Sequence, residues 1–403
     1  MNRATTIPSG ARGAISDASS RLLSLDALRG LAVAGMILVV SPGDWNKAYA
    51  PLKHAPWDGW TLADMVFPTF LFSVGLAIAL SFAKLAQNRR AAGIKIVRRC
   101  AALIALGLVL NALPYFDLAH LRLPGILQRI ALCYALAASL CLATASTGPD
   151  GCAAVNRRAL LIAMAIVLLG YWALLAWVPV PGVGAGHLDP DGNLASWIDR
   201  GVFTVPHLWP YGTNAAGTVV YDSEGLLSTL PATVNVLVGV LAGTVLRANP
   251  DASKGRPFLL AAAIGLMGIG LALDPIFVIN KRIWTSSFAL FSSGFSLGVL
   301  VVLSALLDRG PAPLPHALML PFRVLGGNAI LAFTLSQILS AIGGVPFIAS
   351  PEGPMTPQGW GDGLAGAVIA DPYLASFACA LGILGLVVLA LLPLHHRGLH
   401  VRL

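Results

Sequence analysis

The chain reads as an all-α, polytopic transmembrane helix bundle of about ten spans, with both termini cytoplasmic. Three observations predict this. Only 11% of its 403 residues are charged and 57% are hydrophobic, whereas soluble globular chains carry roughly 25% charged residues. Mean hydropathy is correspondingly high, at +0.78. The apolar residues also fall in runs close to the roughly 20 that a spanning helix needs, rather than in the short alternating segments of a β-barrel. Finally, Lys and Arg concentrate in alternate loops, the pattern of the positive-inside rule.

In chain order the predicted spans are 25–41, 62–86, 97–113, 125–146, 158–178, 226–246, 257–273, 283–307, 317–341 and 371–394. A polar leader, residues 1–20, precedes them without an evident cleavable signal peptide. Residues 21–403 read as one transmembrane domain. Bases mark the inner side: Arg3, Arg12 and Arg21, then Lys84 to Arg99, Arg157 and Arg158, Arg247 to Arg256, Arg309, Arg397 and Arg402. The outer loops carry fewer, with Lys47, Lys53, Arg122, Arg200, Lys281 and Arg282 as exceptions. Two outer loops, 179–225 and 343–370, are long, and such loops are commonly functional or disordered. The net charge of +8 is assigned to the cytoplasmic loops. The lipid bilayer is therefore the expected partner, and no nucleic acid is. Cys100, Cys133, Cys141, Cys152 and Cys379 lack metal or disulfide spacing and read as small core residues. No metal is expected.

The chemistry-bearing residues lie at the edges of spans, where titratable groups are costly and tend to be functional. His54 has Asp58 four residues on and Asp64 ten on. Histidine exchanges protons near neutral pH, and an acid orients and charges it, as in general-base sites. An interfacial anchor beside Trp57 and Trp60 is the alternative. Asp26 and Arg29 share a helix face, either satisfying each other or leaving Arg29 for a phosphate. Arg122-Leu-Pro-Gly125-Ile-Leu-Gln128-Arg129 interrupts a helix and places Gln128 and Arg129 just inside a span, where the Arg needs an acid or an anionic ligand. Tyr221 to Pro231, with Asp222, Glu224 and Ser228, and Asn280 to Ser287, with Lys281, Trp284 and Ser286, read either as helix caps or as two more polar patches on the face of His54. Gly239-x-x-x-Gly243 is a candidate close helix contact.

Taken in order, these motifs resemble the heparan-α-glucosaminide N-acetyltransferase family and its bacterial relatives in the transmembrane acyltransferase superfamily. The pieces are Ser24-Leu-Asp26-Ala-Leu-Arg29-Gly30, His54-Ala-Pro-Trp57-Asp-Gly59 with Asp64-Met-Val-Phe-Pro68, the Arg122–Arg129 run, Asp222 to Pro231, Asn280 to Ser287, and Gly326-Gly-Asn328-Ala329. The resemblance runs through nearly all of the chain from residue 21. It implies an acetyl group taken from cytosolic acetyl-CoA to an amino sugar or related glycan on the periplasmic side of a bacterial inner membrane, by a homodimer. It implies His54 as the catalytic residue, with Asp58 or Asp64 orienting it, through direct transfer or an acetyl-His54 intermediate. Arg29, Gln128, Arg129, Glu224, Ser228, Asn280, Lys281, Trp284, Ser286 and Asn328 are the candidate substrate or acetyl-CoA contacts. Arg29, Arg98 and Arg99 are candidates for the nucleotide phosphates, and Gln128, Asn280 and Ser286 for the oxyanion. Val40 stands where the family commonly has an Asn, with Ser41 beside it as a substitute donor. The rival expectation is an amino-sugar transporter, since bacterial relatives are also described in connection with N-acetylglucosamine use.

Overall fold

A computed structural model describes residues 23–147, 153–249, 252–308, 316–350 and 353–399. The expected leader 1–20, Arg21, Cys152, Arg309 and Arg402 lie outside these segments. The described residues form thirteen α-helices: α1 (Leu23–Val40), α2 (Leu62–Ala86), α3 (Arg89–Ala112), α4 (Ile126–Ala143), α5 (Arg157–Trp177), α6 (Leu194–Phe203), α7 (Thr229–Ala248), α8 (Ala252–Leu273), α9 (Ser286–Leu307), α10 (His316–Gly327), α11 (Ala329–Gly343), α12 (Pro357–Val368) and α13 (Pro372–His396). A two-residue antiparallel pair, Ser146–Thr147 with Ala153–Ala154, lies between α4 and α5.

All ten predicted segments are helical, but they do not all cross alike. Eight helices are long and apolar enough to span, or nine if α10 and α11 count as one span bent by 92°. The remaining segment, α3, has Arg89, Arg90, Lys95, Arg98 and Arg99 in its first half. Its apolar stretch is therefore confined to its second half, which ends beside the start of α4, where Asn111 donates to the Arg122 and Pro124 carbonyls at 2.8 and 2.9 Å. The long loops are partly helical: α6 lies in the first and α12 in the second.

The centre of the molecule is α2 and α7, of whose spanning windows 72% and 78% are buried, against 22% for α5 and α8 and 17% for α13. Lipid is as apolar as Leu, so helices in a membrane associate through close fit rather than by escape from water. Gly75 and Gly239 supply that fit between α2 and α7: a Cβ on Gly75 would lie 1.9 Å from the Val236 carbonyl oxygen, and one on Gly239 2.0 Å from that of Phe72. Gly243 also faces α2, at Ala79, so the spacing read from the sequence marks a true helix contact. Phe72, Leu76, Phe82, Phe288 and Phe291 fill the core between α2, α7 and α9.

The starts of α2, α4, α7 and α9 meet at one end of the bundle, as the contacts of residues 54–64, 122–129, 222–228 and 280–285 show. The opposite end holds Asp26, Arg29 and Gly326, with Asn328 against Leu399.

Candidate active site

Asp64 is the third residue of α2, so it sits at the positive end of a helix and completes the cap at Thr61. Its Oδ2 accepts from the backbone N–H of Thr61 at 2.9 Å, that of Ala55 at 3.1 Å and the Thr61 hydroxyl at 3.1 Å. Its Oδ1 faces His54 Nδ1 at 2.7 Å, with Lys281 Nζ at 4.0 Å. The Asp64 side chain is 1% exposed and that of His54 29%. Only an ionised carboxylate accepts from every side in this way. Nδ1 of His54 therefore carries its proton, and Nε2 carries the lone pair.

The charges around His54 keep that lone pair available. The positive Lys281, then burial, hold the imidazole below its ordinary 6.5 against the upward pull of Asp64, and Arg282 adds to the depression. Burial likewise lowers Lys281, while Asp64 and Glu224 pull it up and Arg282 and Arg129 oppose them. Lys281 thus lies between two acids from different parts of the chain.

The turn carrying Lys281 is fixed from several sides. Gly59 N–H donates to the Ile279 carbonyl at 2.7 Å, and Asn280 Nδ2 donates to Asp58 at 3.1 Å. Asn280 Oδ1 accepts from Ile283 N–H at 3.1 Å, and Arg282 reaches the Ala55 carbonyl at 3.4 Å. Asp58 therefore does not touch His54; it holds Asn280. Trp284 is fully buried, with its indole N–H on Asn235 Oδ1 at 3.0 Å and Arg129 5.0 Å from the ring centre. Ser286 turns to α5, donating to the Leu168 carbonyl at 2.8 Å, and so lies away from His54.

A second charged layer adjoins Lys281. Arg122 grips Asp222 with both arms, Nε to Oδ2 at 2.9 Å and Nη2 to Oδ1 at 2.6 Å, and also bonds Glu224. This forked pairing suits guanidinium geometry. Burial alone would raise Glu224, but Arg122, Lys281 and Arg129 outweigh it and hold the carboxyl at about 2. Arg129 donates to the Gly225 carbonyl at 2.9 Å and to Ser228. Asp199 of α6 accepts from Leu226 N–H at 2.8 Å, and burial pushes its carboxyl up to about 7.

The structure thus brings together His54, Asp58, Asp64, Arg129, Glu224, Ser228, Asn280, Lys281 and Trp284. Gln128 turns aside, donating to Leu123 at 3.2 Å beside a small cavity lined by Asn111, Phe333 and Gln337. Arg29 and Asn328 belong to the other end of the bundle, Arg29 on the Gly326 carbonyl at 3.2 Å and on Asp26 at 3.8 Å. Ser41 bonds Ser340 of α11 at 3.1 Å, and so does not replace an active-site amide. Sequence reasoning missed Asn235, although an amide inside an apolar span is itself a signal. It also missed the pairing of Arg122 with Asp222, and the burial of Asp199, for which no local signal existed. Among the described residues no three His, Cys, Asp or Glu side chains gather as metal ligands would.

Residues 21–270 match the family described as heparan-α-glucosaminide N-acetyltransferase, catalytic. Among characterised proteins, the human heparan-α-glucosaminide N-acetyltransferase is 32% identical over 330 residues, covering 72% of this chain and 49% of the human one. The mouse protein of the same name is 31% identical over 362 residues, 80% of this chain and 54% of the mouse one. The chain spans about half the length of these relatives. The matched residues contain His54, Asp64, Arg122, Arg129 and Glu224, and the chain belongs to the heparan-α-glucosaminide N-acetyltransferase family.

Proposed function

We propose that this multi-pass membrane protein is an acetyltransferase that moves an acetyl group from acetyl-CoA to the amine of an amino sugar, with His54 as general base. The observation that carries the reading is the His54–Asp64 pair: an imidazole whose Nδ1 is held at 2.7 Å by a buried carboxylate, beside a cation that opposes its protonation. A base of this kind contributes roughly 10²–10⁴ in rate.

In the proposed step the neutral acceptor nitrogen attacks the thioester carbon while Nε2 of His54 takes its proton. The oxyanion then collapses, the carbon–sulfur bond breaks, and the imidazolium returns the proton to the departing CoA sulfur. Lys281 and Arg282 disfavour a protonated amine nearby, and so favour the nucleophilic neutral form. Asp64 fixes the ring and stabilises its transient positive charge.

The sidedness follows from charge. Both termini and the bases from Lys84 to Arg99 are placed in the cytoplasm, with the acyl donor entering there. His54 then faces the periplasm of a bacterial inner membrane, with residues 21–403 as one transmembrane unit that works as a homodimer. Arg29, in this reading, serves the inner end of the donor path.

Purified protein supplied with acetyl-CoA and glucosamine should release free CoA thiol, and His54→Ala should abolish that release. Full activity of the alanine variant, or labelled-sugar uptake by proteoliposomes without any acyl-CoA, would overturn the proposal.

A further inference from the structure

Asn235 lies two turns into α7 between Val234 and Val236, and none of it is exposed. A carboxamide in hydrocarbon is costly unless every group is paired, and here each is. Its Nδ2 donates to the Ser292 and Ser293 hydroxyls of α9 at 3.0 and 2.9 Å, and its Oδ1 accepts from the Trp284 indole at 3.0 Å. Packing alone would be met by a leucine at this position.

The indole it holds belongs to a residue with unusual backbone. Trp284 has φ +52°, a left-handed conformation that bulky side chains avoid and that persists only where the surroundings over-determine it. The surroundings do so here. Thr285 N–H donates to the Asn280 carbonyl at 3.0 Å, and Asn280 N–H donates to the Thr285 hydroxyl at 3.0 Å. Trp284 N–H donates to the Lys281 carbonyl at 3.2 Å, and the Tyr171 hydroxyl of α5 donates to the Ile283 carbonyl. Phe67 and Phe288 meet the indole edge to face, at 5.6 and 5.2 Å. The outcome of this clamp is the place of one side chain: Lys281 reaches Asp64 Oδ1 at 4.0 Å.

We infer that Asn235 is a positioning residue for the His54 site, acting through the Trp284 indole to hold the strained turn that sets Lys281 against Asp64. Its kinetic consequence rests on the reading of His54 as the base; its structural consequence does not. The charged groups facing His54 are Asp64 from α2 and Lys281 and Arg282 from the turn before α9, while Asp58 in its own loop is turned to Asn280. Glu224 and Arg129 face Lys281 from behind. Of these, Lys281 and Arg282 stand on the turn that Trp284 holds, and Lys281 is the one that reaches Asp64.

The test reads the titration of His54 directly, by NMR of histidine-labelled protein in lipid nanodiscs, with the resonance assigned by its loss in His54→Ala. Lys281→Gln should raise the His54 midpoint toward 6.5. Asn235→Leu should raise it in the same direction by about half a pH unit, an approximately threefold change in the neutral fraction on the acid limb. Trp284→Phe should do likewise. The double variant Asn235→Leu/Trp284→Phe removes the indole N–H together with the amide oxygen that accepts it, so it should regain thermal stability relative to either single variant while keeping the raised midpoint. An Asn235→Leu protein of wild-type thermal stability with an unmoved midpoint would overturn the inference, as would an unmoved midpoint in Lys281→Gln. A double variant that regains both stability and midpoint would assign Asn235 to structure alone. If the wild-type protein transfers no acetyl group, the functional reading fails while this titration still decides the positioning role.

Discussion

Among the described residues, two of the three histidine–aspartate pairs have nearly the same geometry, and they could hardly differ more in setting. His54 Nδ1 lies 2.7 Å from Asp64, and His120 Nδ1 lies 2.8 Å from Asp117. Asp64 is 1% exposed, whereas the side chains of His120 and Asp117 are 70% and 58% exposed. Asp117 also caps a short turn, accepting from Ala119 N–H at 3.0 Å, and nothing else in the site reaches that pair. Distance alone therefore does not distinguish the two pairs. Water screens the outer pair, while around His54 low exposure, four donors on Asp64 and the charge of Lys281 make each electrostatic difference count.

The largest expected effects attack this contrast directly. His54→Ala and Asp64→Asn should each lower CoA release by about 10²–10⁴-fold, while His120→Ala and Asp117→Asn should stay within about twofold of wild type. Equal losses from Asp64→Asn and Asp117→Asn would remove the distinction.

Next in size is stability. Arg122→Leu leaves Asp222 and Glu224 buried without their cation, and breaking a buried pair on one side costs about 3–5 kcal/mol. Chemical unfolding in detergent should show a loss of that order, whereas separating His120 from Asp117 should leave unfolding unchanged. The sign with pH follows from Glu224. Its carboxyl falls from 4.5 in the unfolded chain to about 2 in the fold, so its stabilisation is complete above pH 4.5 and disappears as pH drops toward 2. In Arg122→Leu that acid-dependent part should shrink.

A smaller shift is expected in the pH profile. With Lys281 beside it, His54 titrates below 6.5, so the acid limb of the CoA-release profile should also lie below 6.5. Lys281→Gln should move it upward, with activity lost sooner as pH falls. The same depression means that protonating His54 opposes folding. Its contribution to stability is level above pH 6.5 and declines below it. An acid limb at or above 6.5 in the wild type would contradict the role given to Lys281.

The smallest effect concerns Ser286, a sequence candidate for the oxyanion. Its hydroxyl is bonded to the Leu168 carbonyl, so Ser286→Ala should change the rate by less than about threefold, well short of the 10²–10³ that removing an oxyanion donor costs. A hundredfold loss would return Ser286 to the site and shorten the distance between α5 and the chemistry.

Much of this was legible in the chain itself. Ten apolar runs became helices because spanning segments must satisfy their own backbone groups, a requirement that acts on each run separately. The same local logic exposed His54, Asp64, Arg129, Glu224 and Lys281: polar groups at the edge of hydrocarbon stand out in composition, whatever their partners. What stayed hidden was relational. Sequence could not say that Asp64 rather than Asp58 meets His54, because that depends on a helix cap at Thr61 and on Asn280 claiming Asp58. Nor could it separate Arg29 and Asn328 from the other candidates, since which end of the bundle a residue occupies follows from the course of every helix before it.

By itself, then, the sequence determined the helical membrane architecture and the set of polar groups at its edges, both governed by the solvent each segment meets. Only the tertiary structure decided which of those groups share a site. A pair such as Lys281 and Asp64 is separated by most of the chain and is brought to 4.0 Å by the packing of α2, α7 and α9, and that packing rests on close fits such as Gly75 against Gly239, whose partners no local pattern names.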